Sequence, residues 1–358
     1  MLNQTPLYRI AVAAWLATAG LLTSCLIASG PARAAAAQPF VPVLNVDFPD
    51  AFVLEHQGRW LAYATNPEKG AVNVQMASSS DLVHWQSLRD PGNKQLHDAM
   101  PALPAWAKRG YTWAPEVLKS GDGFLLYFTA RDKRSGLQCI GVAAAADPMG
   151  PFTSAAAEPL VCQKALGGSI DPDPLRDADG QLYLYFKNDG NNPDFNKPDQ
   201  IFVQRLAPDG LSVTGAPSAL LHNDSSWEGR VIEAPTMTRA GGSYALFFSG
   251  NDYGWQPDTQ RLSPYAIGYA ICAGPLGPCS NAPENPILHS FMGSAGCLSG
   301  PGHQAVFQAG GRTFIAFHAW ATTPGCRPLD PYRYWYIAPL IWNDGRPQIA
   351  ASLRPAAK

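Results

Sequence analysis

Charge is scarce in this 358-residue chain: 15% of its residues are Asp, Glu, Lys or Arg, and the formal net charge is -2. The sequence has no basic stripe to follow a phosphate backbone and no acidic tail, which excludes nucleic acid and bulk membrane surface as partners. It has no Cys-x-x-Cys pair and no His at ligand spacing near a Cys, which argues against a zinc site. Beyond residue 34 there is no long apolar pattern of helical period, which disfavours helical folds. Pro and Gly are plentiful, at 33 each, yet they form no tract of the kind that marks a disordered linker.

The first residues do carry a short apolar run. Arg9 is followed by apolar residues from Ile10 to Leu22 and then by small ones, which reads as an export signal over 1–34 ahead of a single domain over 35–358. The run is shorter than the ~20 apolar residues that a spanning helix needs. Two processing sites compete: the small residues Ala32 to Ala34, and Leu22 to Cys25, which has the look of a lipoprotein box with a lipid anchor on Cys25. Both place the mature protein outside the cytoplasm, whether secreted, periplasmic or at the cell surface. Of seven Cys, six lie beyond the signal, and three disulfides would use them all. Sequence neighbourhood pairs Cys139 with Cys162, Cys272 with Cys279 and Cys297 with Cys326, one connectivity among fifteen.

What the chain has in abundance is one pattern repeated five times. The copies read DAFVLEHQGRWLAYAT from Asp50, WAPEVLKSGDGFLLYFTA from Trp113, DPDPLRDADGQLYLYFK from Asp171, EAPTMTRAGGSYALFFSG from Glu233 and HQAVFQAGGRTFIAFHAW from His303. Each runs through a strand to a Gly or Asp turn and into a second, aromatic-rich strand. A third stretch of strand character follows, such as QCIGVAAAA or YAIGYAICA, which leaves room for a small sheet per copy. The expected fold is all-β: a five-bladed β-propeller with four-stranded antiparallel blades around a central channel. A β-sandwich is the alternative, but it leaves the recurrence unexplained.

In such a ring the first residue of each innermost strand faces the mouth of the channel. The leading residues are Asp50, Trp113, Asp171, Glu233 and His303. Three carboxylic acids in one cleft cannot all ionise at their free values, because burial and like charge raise at least one of them. Glycoside hydrolysis needs that difference: a protonated acid for the leaving oxygen and an ionised carboxylate to activate water or attack the anomeric carbon. Asp122, Asp177 and Asp179 stand beside Gly between strands and read as turn formers.

The segments FPDAFVL, GYTWAPEV, GGSIDPDP, VIEAPTM and GPGHQAVF together resemble glycoside hydrolase family 43, over nearly all of the chain beyond the signal. The resemblance implies a five-bladed propeller and an inverting mechanism, with Asp50 as general base, Glu233 as general acid and Asp171 orienting that acid. It also implies a calcium ion in the channel near His303, commonly held through water. Pro49 precedes Asp50 where the family usually has Asp-Pro, which makes Asp47 a competitor for the base. Trp113 is expected to stack on a sugar ring, and Ser169 and Arg327 to touch substrate hydroxyls. Glu116 and His318 read as structural, and Trp85 as packing between blades. The substrate implied is arabinan or arabino-oligosaccharide cleaved at terminal α-L-arabinofuranose. A β-xylosidase, an arabinoxylan-debranching enzyme or a non-catalytic sugar-binding propeller are the alternatives. No WMNDPNG-like motif is present, which sets aside the retaining fructosidases.

Overall fold

A computed structural model describes residues 40–67, 70–240, 242–255, 261–293 and 296–350. The proposed signal over 1–34, with Cys25 and both processing sites, lies outside the described residues. The rest folds as five antiparallel sheets, one for each repeat.

The first sheet orders β1 (Phe52–His56), β2 (Arg59–Ala64), β3 (Gln75–Ser79) and β4 (Gln86–Ser87) from the inside out. The second holds β5 (Ala107–Ser120), β6 (Gly123–Asp132) and β7 (Gln138–Ala145). Its outer place is taken by isolated bridges from Thr153 to Ala144 and from Val161 to Ile140, so this blade has three strands rather than the expected four. The third holds β8 (Ser169–Arg176), β9 (Leu182–Asn188), β10 (Gln200–Leu206) and β11 (Val213–His222). The fourth holds β12 (Ile232–Ala240), β13 (Ser243–Gly250), β14 (Ala266–Cys272) and β15 (Cys279–Asn281). The fifth has five strands: β16 (Phe291–Gly293), β17 (Gly296–Ala309), β18 (Arg312–Thr322), β19 (Pro328–Asn343) and β20 (Arg346–Ile349).

Hydrophobic burial holds these sheets in a ring, because each of the five apolar clusters is shared between two neighbouring blades. Tyr63 and Met76 of the first blade pack with Trp106 and Phe128 of the second, and Tyr127 with Leu184 and Phe186 of the third. Ile201 and Tyr185 pack with Phe248 of the fourth, and Phe247 with Phe317 and Tyr336 of the fifth. The circle closes where Trp85 meets Trp335, their rings 4.7 Å apart, so Trp85 does pack between blades. The lead-in strengthens this closure: Leu44 bridges Trp335, and the Phe48 N–H donates to the Arg333 carbonyl. The three disulfides join the pairs that sequence neighbourhood suggested. Cys272–Cys279 clips the edge of the fourth blade, and Cys297–Cys326 ties the start of β17 to the turn before β19.

Candidate active site

Four of the five inner strands carry the same irregularity, where three of their steps match two on the neighbouring strand. The first blade has it just ahead of β1, where the Thr65 N–H donates to the Pro49 carbonyl and Phe52 pairs with Tyr63. The extra residue is a bulge in the left-handed backbone region, at Asp50, Ala114, Asp171, Ala234 and His303, with φ between 43° and 58°. Left-handed backbone in a residue other than Gly is uncommon, and its recurrence at one place per blade marks a built feature. It also corrects the expected alignment. Asp50, Asp171 and His303 occupy the bulge, whereas Trp113 and Glu233 stand one residue before it, with Ala114 and Ala234 in the bulge itself.

The bulges are laced together. The Ala114 N–H donates to Thr65 Oγ1 of the previous blade at 2.9 Å, Asp171 N–H to Thr129 Oγ1 at 3.1 Å, and His303 N–H to Ser249 Oγ at 2.8 Å. Asp50 N–H donates to His318 Nδ1 at 3.3 Å and so carries the circle from the fifth blade to the first. Each acceptor sits at the same place on the second strand of its blade, opposite the residue before the bulge. The third blade breaks the rule, because Lys187 occupies that place opposite Ile170 and an ammonium can only donate. There the Ala234 N–H turns to Asp171 Oδ2 at 2.9 Å instead. One exchange of acceptor for donor thus fixes the Asp171 carboxylate and leaves Lys187 to serve the acids around it.

A cavity of about 460 Å³ opens over this ring. Asp50, Asp171 and Glu233 all line it, and all three are buried. Asp50 Oδ2 accepts from the Thr65 hydroxyl, and its Oδ1 lies 3.2 Å from His318 Nδ1, 3.3 Å from His303 Nδ1 and 3.5 Å from Arg333 Nη1. Burial pushes this carboxyl upward, but the charges of His303 and Arg333 outweigh it and hold Asp50 well below the usual carboxylate range. Glu233 Oε1 accepts from the Tyr265 hydroxyl at 2.7 Å, and its Oε2 lies 3.6 Å from Lys187 Nζ. Here burial prevails, helped by Asp171 and opposed by Lys187, Tyr265 and His303, and the carboxyl is pushed up to about 7. Lys187 is fully buried and also meets Asp199 Oδ2 at 2.9 Å and Asn191 Oδ1 at 2.7 Å. At near-neutral pH the cavity therefore presents an ionised carboxylate at Asp50 and, at Glu233, a carboxyl on the edge of protonation. That is the division of labour a general base and a general acid require.

Close packing keeps the Glu233 donor in place. Gly302 lies against the Tyr265 ring, where an added Cβ would come within 1.9 Å of a ring carbon. The ring also stacks on His318, with centroids 6.0 Å apart. His318 is buried and hydrogen-bonded, and burial pulls it down to about 4, so it is neutral and can accept the Asp50 N–H.

Of the other residues singled out by sequence, Trp113 and His303 line the cavity. Ser169 does not: it is fully buried, and its hydroxyl accepts the Gln163 N–H at 3.0 Å. Arg327 is exposed and follows Cys326, closing the turn from Thr323, to whose Oγ1 its N–H donates at 3.1 Å, and it is not on the cavity wall. The arginine that reaches Asp50 is Arg333 on β19, which lies in the wall because its strand crosses the blade next to the lead-in. Asp47 accepts the Arg333 N–H and is not on the cavity wall, so the geometry favours Asp50 over it. Sequence reading missed Lys187, Tyr265, Arg333 and Asp189. A signal for Lys187 was available: the repeats end their second strand in Thr65, Thr129, Lys187, Ser249 and His318, and only one of these cannot accept a hydrogen bond.

Calcium takes six to eight oxygen ligands, whereas His303 offers a nitrogen whose Nδ1 already faces Asp50. Among the described residues no group of three or more His, Cys, Asp and Glu could hold a metal ion. The described side chains alone do not form a calcium cage.

A family model described as glycosyl hydrolases family 43 matches residues 40–347. The arabinoxylan arabinofuranohydrolase of Paenibacillus polymyxa is 27% identical over 267 residues, which is 69% of this chain and 38% of that protein. The extracellular exo-α-(1→5)-L-arabinofuranosidase ArbA of Cellvibrio japonicus (strain Ueda107) is 26% identical over 218 residues, 57% of this chain and 59% of that protein. The chain thus spans well under two thirds of the length of these relatives. A crystal structure of a thermostable family-43 glycoside hydrolase superposes with a TM-score of 0.72 at 29% identity, covering 89% of this chain and 98% of that one.

Proposed function

This chain belongs to glycosyl hydrolase family 43, and we propose that it hydrolyses terminal α-L-arabinofuranosidic linkages of arabinan or arabino-oligosaccharides with inversion of configuration. Asp50 is the general base that takes a proton from the attacking water. Glu233 is the general acid that protonates the leaving oxygen, and Asp171 orients it while adding the negative charge that helps keep it protonated. Trp113 offers a flat apolar face to the sugar. The observation that carries this reading is the opposed setting of two carboxyls in one cavity, Asp50 held low by His303 and Arg333 and Glu233 raised to about 7 by burial. Cleavage of arabinofuranose side chains from arabinoxylan is the second reading, favoured by the activity named for the Paenibacillus relative. Export through the N-terminal signal fits both the three disulfides and the extracellular relative.

The test is release of 4-nitrophenol from the α-L-arabinofuranoside and the β-D-xyloside, with linear arabinan and arabinoxylan alongside and proton NMR of the first-formed sugar. Turnover of the arabinofuranoside with the opposite anomer appearing first is expected. Preference for the xyloside would move the specificity, net retention would remove the water-activating role of Asp50, and turnover of none of the four would end the enzymatic reading.

A further inference from the structure

The net charge of the chain is close to zero, but β5, β6 and the turn after β6 gather cations that have no ion-pair partner among the described residues, and one of them, Arg131, lines the cavity. Lys108 on β5 stands directly opposite Arg131 on β6, at the end of the strand pair that also carries Trp113. Like charges directly opposite each other in a sheet are unfavourable. Both cations lie on the ring of Tyr111, the Arg131 guanidinium 3.8 Å and the Lys108 ammonium 5.2 Å from its centroid. Arg109 and Lys133 flank them and are held only by backbone carbonyls, of Ala71 and Ala105 respectively. Arg134, the next cation along, is paired with Glu158 and Asp132. Among the described residues, none of Lys108, Arg109, Arg131 and Lys133 has a carboxylate within ion-pair distance. Asp189, on the cavity wall, feels Arg131 only at longer range.

Arg131 is the link between this rim and the chemistry, since it lines the same cavity as the acids, and its buried Nε has no hydrogen-bond partner. An anion that satisfies this edge must therefore belong to the molecule whose glycosidic bond lies over Asp50 and Glu233. We propose that the rim of Lys108, Arg109, Arg131 and Lys133 binds uronate carboxylates of an acidic polysaccharide, so that the preferred substrate carries its cleaved sugar on or beside a uronic-acid-containing chain. Arg131 takes the carboxylate nearest the cavity, and Lys108, Arg109 and Lys133 extend the field outward along the polymer. The inference rests on the glycosidase reading above and narrows its substrate class.

The experiment compares three substrates with the full chain: the aryl arabinofuranoside, an arabinosylated polysaccharide rich in uronate, and the same polysaccharide after chemical reduction of its carboxyl groups to alcohols. The expected wild-type kcat/KM is about three- to ten-fold higher on the uronate form than on the reduced form, and this preference shrinks as salt is raised. In a Lys108→Ala/Arg109→Ala variant, whose fold is checked by circular dichroism, the ratio falls towards one. Arg131→Gln gives a second, independent reduction of the ratio. Equal wild-type rates on the two polysaccharides, or a preference that survives in both variants, would overturn the proposal while the glycosidase reading stands. Turnover of none of the three would instead overturn that reading.

Discussion

Two rings of side chains line the central channel, one above the other, and they treat buried carboxyls in opposite ways. The upper ring is built on the bulges, at Asp50, Ala114, Asp171, Ala234 and His303, together with Trp113 and Glu233 one residue ahead of them. Two residues further along the same strands lie Phe52, Glu116, Asp173, Thr236 and Ala305, which line a separate cavity of about 430 Å³. In this lower ring Glu116 and Asp173 share a hydrogen bond with no cation acting on either. Burial, then Asp173, raises Glu116 well above its ordinary value, and burial lifts Asp173 to about 6 even though it accepts the Met237 N–H at 2.9 Å. In the upper ring the same degree of burial is answered by His303 and Arg333 at Asp50 and is only partly answered by Lys187 at Glu233. Burial alone makes two weak acids of similar character. Unequal placement of cations separates one acid from another, and catalysis by an acid and a base needs that separation.

Substitutions that remove upper-ring acids should have the largest effect. Glu233→Ala and Asp50→Ala are expected to lower kcat on an unactivated arabinofuranoside about a hundred- to ten-thousand-fold, whereas Glu116→Gln and Asp173→Asn leave it within about three-fold. Steady-state rates on the four variants check this, and a loss at Glu116 matching that at Glu233 would dissolve the contrast between the rings.

Lys187→Met should have the next largest effect. Without its ammonium, Glu233 loses the largest influence that lowers it, so the alkaline limb of the pH–rate profile moves above about 7. Asp199 is left buried without its cation, which costs about 3 to 5 kcal/mol and lowers the melting temperature. A limb that stays in place despite the lost stability would mean that Lys187 has only a structural role.

Much of this was legible in sequence, but not all for the same reason. The five repeats and the blade order could be read directly, because turns and alternating strands are local patterns, whereas nearness in sequence only suggested the cysteine pairs, one connectivity among fifteen. The bulge could not, since Trp-Ala-Pro-Glu at Trp113 and Glu-Ala-Pro-Thr at Glu233 align naturally on their first residue, and only the backbone reveals that Ala114 and Ala234 hold the left-handed place. Glu233 consequently approaches the cavity from a different backbone position than Asp50 and Asp171, beside Lys187 and Tyr265. Ser169 and Arg327 were chosen for nearness in sequence to Asp171 and to the last blade. Strand geometry buries the first against Gln163 and leaves the second in an outer turn. Arg333 gave no local signal, because its approach to Asp50 depends on the lead-in pairing with β19 across the whole length of the chain.

A smaller effect separates the rings in stability. Glu116 and Asp173 both have folded-state values above their ordinary ones, so their contribution is complete at low pH and is lost as pH rises, for Asp173 through about 6. Asp50 is displaced the other way, so its contribution is present above the ordinary carboxylate range and is lost on acidification. Urea unfolding across pH should therefore show Asp173→Asn gaining about 1 to 3 kcal/mol on wild type as pH passes through about 6, Glu116→Gln gaining in the same direction as pH rises, and Asp50→Asn converging on wild type in acid. A Glu116→Gln difference that is flat with pH would contradict the lower-ring assignment.

The central claim is that Glu233, held near neutrality, is the acid that the reaction uses. The pH dependence of kcat/KM, measured for wild type and Glu233→Ala on an arabinofuranoside with an activated leaving group and on one with a poor leaving group, tests it most directly. The account predicts an alkaline limb near 7 in wild type, its disappearance in Glu233→Ala, and a far larger loss of rate in that variant on the poor leaving group. An alkaline limb that persists unchanged in Glu233→Ala, with equal losses on both substrates, would contradict it.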